Sequence, residues 1–215
     1  MRIVDLSHKI TSDMPVWPGT PRPEFSELCT IARDGFAERS IRISSHTGTH
    51  IDAPAHIIEG GDTLDRLDVG RFFGKGLLID LREQEGASIP LDALTPFSSL
   101  IAESEFLLLH TGRSRFWGQE RYDRDYPALT LEAASWIAGF KPKGIGIDAP
   151  SFDSIGRDGY PVHRRLLEAG IILIENLTNL DRLAGAVFSL SVFPLGLYGA
   201  EACPVRAVAL LPLPA

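Results

Sequence analysis

Hydrophobic positions along this chain gather into short runs rather than long helical stripes. Alternating or continuous apolar stretches predict strands at Ile3–Leu6, Ser40–Ser44, Gly76–Leu81, Phe106–His110, Gly144–Asp148, Ile171–Glu175, Val187–Phe193 and Ala207–Leu211. Helical spacing is rarer. Thr130–Gly139 reads as a helix, with Thr130 as its N-cap and Glu132 early in the first turn. A second helix runs through Val162–Ala169 and stops at Gly170, and a short one follows at Asn179–Leu183. Strands outnumber helices, and several follow one another with no helix between. The pattern predicts a mixed α/β fold rather than a regular doubly wound sheet.

No repeat, low-complexity tract or Gly/Ser linker divides the chain. The Pro-rich segment Pro15–Pro23 is too short and too near the N-terminus to separate domains, so a single domain over residues 1–215 is expected. Leu183–Ala200 carries no charge, but Pro194, three glycines and the alternating "VFSLSVF" fit a buried strand and a loop, not a membrane helix.

Composition adds exclusions. Hydrophobic residues make up 44% and charged ones 23%, an ordinary soluble-globular balance. A formal charge of -7 with no Lys/Arg cluster argues against nucleic acid as a partner. The start, "MRIVDLSHKI", is charged too early for a signal peptide, so a cytoplasmic protein with no membrane association is expected. The acceptor-like triplet Asn176-Leu177-Thr178 is then incidental. Cys29 and Cys203 form no metal or redox motif and are expected to be reduced thiols.

The chemistry concentrates in "SSHTGTHIDAPAHI", residues 44–57, which holds His46, His50, Asp52 and His56. On a helix Asp52 would fall nearly opposite His50, and Gly48 and Pro54 oppose a continuous helix. On an extended strand the even-numbered positions line one face, with Ile43 and Ile51 on the other and His56 beyond the break at Pro54. Imidazole and carboxylate are the usual ligands of zinc and other divalent first-row metals. The plainer alternative is a polar strand with solvated histidines, but two histidines and an aspartate in phase point to metal. The helical H-E-x-x-H of a zincin protease is absent.

The run His46 to His56 resembles the signature H-[TS]-G-[TA]-H-x-D-[AS]-P-x-H of the cyclase family, which includes bacterial kynurenine formamidase and isatin hydrolase. The likeness extends from "VDLSHKITSDMPVWPGTP" through "LLLHTG", "GIGIDAPSFD" and "PVHRRLLEAGIILIENL" to "CPVRAVAL". It implies a swivelling β/β/α fold with mixed sheets and flanking helices, assembled as a homodimer or homotetramer. It implies further ligands at His163 and Glu175, beside His46, His50 and Asp52, and one or two divalent ions, Zn²⁺ or Mn²⁺. His56 would be the catalytic proton carrier, and Trp17, in "PVWPGTP", a substrate-binding aromatic, with an anchoring core tryptophan as the alternative reading. The implied reaction is hydrolysis of a small amide, with N-formylkynurenine, giving kynurenine and formate, as the leading substrate. Lactam opening of the isatin type, or hydrolysis of another cyclic amide or ester, is the rival reaction. A metal-binding paralogue without turnover is the rival from outside enzymology.

Glu175 also stands out by itself, because a carboxylate directly after four aliphatic residues is awkward for a surface position. Other signals are set aside. Gly144 to Ala149 matches G-x-G-x-x-A, but its glycines lie inside a strand-like run and Pro150 follows, so no nucleotide site is expected, and Asp148 braces the site or a turn. No nucleophile elbow or P-loop occurs. Thr20 stands where many relatives have Asp. "LIENLTNLDRL" resembles the wider family more than the formamidases. His8 and His110 are read as structural.

Overall fold

The computed structural model describes residues 1–84, 86–156, 158–183, 185 and 187–212. Positions 184 and 186 of the uncharged stretch, and 85, 157 and 213–215 of the expected domain, lie outside the described residues.

The elements run β1 (Arg2–Asp5), β2 (Glu24–Cys29), α1 (Ile31–Asp34), β3 (Glu38–Arg42) and β4 (His50–Asp52). Next come β5 (Phe73–Asp80), β6 (Ser88–Ile89), α2 (Ser98–Ala102), β7 (Phe106–His110), β8 (Ala128–Leu129) and α3 (Leu131–Phe140). Then follow β9 (Gly144–Ile147), α4 (Pro161–Glu168), β10 (Ile172–Glu175), β11 (Phe188–Ser191), β12 (Ala202–Pro204) and β13 (Val208–Leu211). Nine strands form one curled, mixed sheet in the order β1-β13-β11-β5-β7-β9-β10-β4-β12. Its centre, β5-β7-β9-β10, is parallel, and the flanking pairs are antiparallel. The architecture is the mixed α/β fold with flanking helices that the sequence leads one to expect.

Parallel strands need both faces covered, and β7 shows how the sequence meets that need. Leu107 and Leu109 pack into one core with Ile137 of α3 and Leu166 of α4. Phe106 and Leu108, pointing the other way, join a second core with Val4, Ile51, Leu190 and Ala209 from the two ends of the sheet. Full burial of "FLLLH" is the physical reason it reads as a continuous apolar run. A Cβ on Gly146 would come within 2.6 Å of both Leu108 and Leu177, so this glycine serves tight strand packing and no phosphate loop.

Thr130 caps α3 as expected, its hydroxyl accepting from Ala133 N. Three expectations need correction. Only His50–Asp52 of the histidine stretch is a strand; Gly48 adopts φ +65°, and His46 lies in the turn before it. Ile43 is exposed rather than opposed to a core. Asn179–Leu183 is a 3-10 turn over Leu180–Leu183. The strand β2 has no counterpart in the apolar pattern, because all its residues but Cys29 are exposed and, among the described residues, it pairs with β3 alone.

Candidate metal centre

Strand register builds the centre. In the antiparallel pair β10–β4, Glu175 stands opposite His50 and Leu173 opposite Asp52, so Glu175 arrives as a direct cross-strand neighbour of His50. His163 comes from the first turn of α4, which Pro161 starts. Gly170, at φ +75°, then reverses the chain into β10. Helix and returning strand therefore deliver His163 and Glu175 to one place. Pro54 opens a 3-10 turn, Pro54–His56, that carries His56.

The distances are short. His50 Nε2 lies 3.5 Å from both Asp52 Oδ1 and Glu175 Oε2. His163 Nε2 is 3.1 Å from Glu175 Oε1 and 3.8 Å from Asp52 Oδ2. Each carboxylate thus faces both imidazoles. His46 Nδ1 is 3.0 Å from Asp52 Oδ1, and its ring centroid is 4.2 Å from that of His56. Potential ligand atoms of His50, Asp52 and Glu175 all lie within 4.8 Å of one another, and so do those of His46, Asp52 and His56.

His50, Asp52, His163 and Glu175 are buried. Among the described residues, His50 Nε2 and both oxygens of Asp52 nevertheless find no hydrogen bond of good geometry, although His46 Nδ1 stands 3.0 Å from Asp52 Oδ1. The surrounding imidazoles offset only part of the cost of burying this carboxylate, because a buried charge needs hydrogen bonds as well as pairing. A divalent cation would give these lone pairs a partner, so the residues fit such a group.

The outward nitrogens are fixed. His50 Nδ1 donates to Gly48 O at 2.8 Å, and a carbonyl can only accept, so Nδ1 carries the proton and Nε2 is the free lone pair. His163 Nδ1 lies 2.7 Å from Asp153 Oδ2, and the same carboxylate accepts from His163 N and Val162 N. Burial opposes charge on His163, but the Asp153 hydrogen bond, with Glu175 and Asp52 beyond, lifts its pKa to about 10. Burial likewise works against the Asp52 carboxylate, and His50 and His46 outweigh it and hold its pKa well down. For His46, burial is outweighed by Asp52, Glu175 and Glu201, and the pKa rises. His56 moves the other way: burial, the largest influence, keeps it below its ordinary value.

The structure brings all six sequence-identified residues, His46, His50, Asp52, His56, His163 and Glu175, into one cluster. Others escaped sequence reading. Asp153 orients His163, whereas Asp148 holds a turn through Thr111 N and Oγ1, each at 2.7 Å. Asp153 lies in the quoted "GIGIDAPSFD", and its partner on the helix ten residues on was the missing cue. Glu201 faces His46 Nε2 at 3.6 Å while accepting from Ser45 Oγ at 2.6 Å, and no local pattern marks it.

The family model described as "Putative cyclase" matches residues 4–154. The chain belongs to the cyclase family. Kynurenine formamidase of Bacillus cytotoxicus is 30% identical over 206 residues, 95% of each chain. A solved potential metal-dependent hydrolase with cyclase activity has 29% identity and a TM-score of 0.83 over 99% of both chains. Isatin hydrolase A from Labrenzia aggregata has 25% identity and a TM-score of 0.85 over 97% of this chain and 93% of its own. This cyclase-family protein is an enzyme of that fold.

His46, His50, His56, His163 and Glu175 of the cluster line a cavity of about 280 Å³. Trp17 lines this cavity, together with Thr20, Trp117 and Tyr160. His8 stacks on Trp117 with ring centroids 3.9 Å apart and planes 6° from parallel, so it acts by propping a wall of the pocket. His110 is buried at the end of β7, its Nδ1 3.9 Å from Asp80 and away from the cavity lining. Among the described residues no helix is long and apolar enough to cross a membrane.

Proposed function

We propose that this cyclase-family enzyme hydrolyses a small aryl amide at a carbon–nitrogen bond other than a peptide bond, using one or two divalent ions, Zn²⁺ or Mn²⁺. N-formylkynurenine, cleaved to kynurenine and formate, is the leading substrate. The observation that carries this reading is the buried convergence of His50, Asp52, His163 and Glu175 around atoms left without hydrogen bonds. His46, His50 and Asp52 would hold the first ion, and His163 and Glu175 a second, with Asp52 or Glu175 shared. A divalent ion here supplies Lewis acidity, polarising a carbonyl and lowering the pKa of a coordinated water toward ~7.

The chain's own residues do the rest. His56 has a depressed pKa, so at neutral pH its imidazole is free to take a proton and pass it to the leaving nitrogen. Trp17, Trp117 and Tyr160 wall the cavity with aromatic faces suited to a planar ring. Hydrolysis of an isatin-type lactam is the second reading, favoured by the likeness to isatin hydrolase A and accepted by the same aromatic walls.

The chain acts as one domain in the cytoplasm, consistent with two free cysteines, Cys29 and Cys203. Assembly as a homodimer or homotetramer is supported by apolar side chains left exposed on the β2–β3 hairpin (Phe25, Ile41) and on the loop with Leu195 and Tyr198.

The test is a substrate panel of N-formylkynurenine, isatin and simple formanilides, run with metal-quantified protein. Turnover of the formyl compounds above isatin supports the formamidase reading, and the reverse order selects the lactam. Metal-loaded protein that turns over none of them would overturn both the formamidase and the lactam readings.

A further inference from the structure

Asn176, the residue after Glu175, is buried and joins three segments. Its Nδ2 donates to Gly48 O at 3.0 Å, and its Oδ1 accepts from the Tyr122 hydroxyl at 2.7 Å. Its backbone is engaged separately: Asn176 O accepts from Thr49 Oγ1 at 2.6 Å, and Asn176 N donates to Ala149 O at 3.0 Å. Its φ is +57°, a conformation that asparagine tolerates better than other side-chain-bearing residues.

Gly48 O is the same carbonyl that receives His50 Nδ1. A carbonyl has two lone pairs, and here one is taken by His50 and the other by Asn176. Gly48 sits in a left-handed turn, where glycine itself restrains the backbone least, so its carbonyl needs an anchor if it is to hold an imidazole in one orientation. Asn176 is that anchor, and Tyr122 locks the carboxamide so that Nδ2, not Oδ1, faces the carbonyl. Burial raises the Tyr122 pKa, keeping the phenol protonated and able to donate.

We propose that Asn176, held by Tyr122, is a positioning residue: through Gly48 O it fixes the tautomer and orientation of His50 and thereby tunes metal binding. The proposal rests on the metal reading above. Neither side chain is needed as a ligand: Asn176 acts through Gly48 O, and Tyr122 one hydrogen bond further out.

Co²⁺ provides the test, because its visible absorption reports ligand geometry independently of turnover. Asn176→Gly keeps the left-handed backbone and both backbone hydrogen bonds while deleting the carboxamide. It should bind Co²⁺ roughly 10–100-fold more weakly, as measured against a chromophoric chelator, with an altered visible spectrum. Tyr122→Phe leaves the Gly48 contact but frees the carboxamide to turn, and should give a smaller shift in the same direction. Asn176→Asp covers the case in which Asn176→Gly does not fold. It keeps the Tyr122 partner but cannot donate to Gly48 O, so its Co²⁺ spectrum should also change. A folded Asn176→Gly or Asn176→Asp protein with wild-type Co²⁺ affinity and spectrum overturns the proposal, because a merely structural role would lower the melting temperature alone. Wild-type protein that takes up no Co²⁺ removes the metal reading and this proposal together, which distinguishes that failure from the former.

Discussion

Asp153 holds His163 at two points and Val162 at a third, accepting from the His163 ring nitrogen at 2.7 Å and from the backbone N–H groups of His163 and Val162 at 2.9 and 3.0 Å. The carboxylate thus caps the start of α4 and aims the imidazole with one group. In metal-free protein it also favours the protonated ring, whose pKa is raised from 6.5 to about 10. A raised pKa means that the folded state binds the extra proton, so this stability is fully present below pH 6.5. It is lost as pH climbs toward 10. Metal-free protein should therefore become easier to unfold with urea across that interval, and Asp153→Asn should flatten the change. An equally steep profile in the variant would show that Asp153 does not set the proton affinity.

Glu175 lies opposite His50 in the β10–β4 ladder and reaches both His50 and His163. Glu175→Gln keeps the shape but removes the charge that offsets a dication. Activity should be lost and metal content should fall, measured by elemental analysis of protein purified without chelators. Near-normal activity at full occupancy would assign Glu175 a structural role.

Much of this centre was legible because its determinants are local in sequence. Glu175 could be singled out from the aliphatic run before it, and His163 and Gly170 bracket a helix that turns back. The strands β7, β9 and β10 read correctly because full burial writes itself as an apolar run. Other features depend on distant partners. The strand β2 is exposed and, among the described residues, pairs only with β3, so no apolar periodicity records it. His46 left the strand because Gly48 takes a left-handed turn, which glycine permits without announcing. Asp153, Glu201 and Asn176 work through contacts that single-sequence patterns do not carry.

His8 shows a cost of burial. It lies flat against Trp117, its Nε2 has no hydrogen-bond partner among the described residues, and burial pushes its pKa down to about 4. Unfolded chain would take up a proton near pH 6.5 that folded protein refuses. Stability should accordingly fall as pH drops from 6.5 toward 4, by up to about 3 kcal/mol at ~1.4 kcal/mol per pKa unit. His8→Phe keeps a flat ring against Trp117 and should lose this dependence. Urea unfolding of both proteins at pH 7.5 and 4.5 measures the difference, and parallel losses would exclude His8 as the source.

His56 separates metal binding from catalysis. It sits in the 3-10 turn after Pro54, within reach of His46 and Asp52, and a ligand atom of each of the three lies within 4.8 Å of the others. Geometry alone would let His56 serve as a ligand, whereas the proposed mechanism needs it as a proton carrier. Its depressed pKa suits the second role, since a neutral ring can accept a proton at pH 7. His46→Ala and His50→Ala should both lower metal content. His56→Ala should keep most of its metal while turnover falls by roughly 10²–10⁴, the usual range for a positioned general acid–base. The loss should be smaller with activated esters, whose leaving groups need little protonation. If metal content collapses along with activity in His56→Ala, His56 is a ligand. If activity barely changes, the proton reaches the leaving nitrogen by another group.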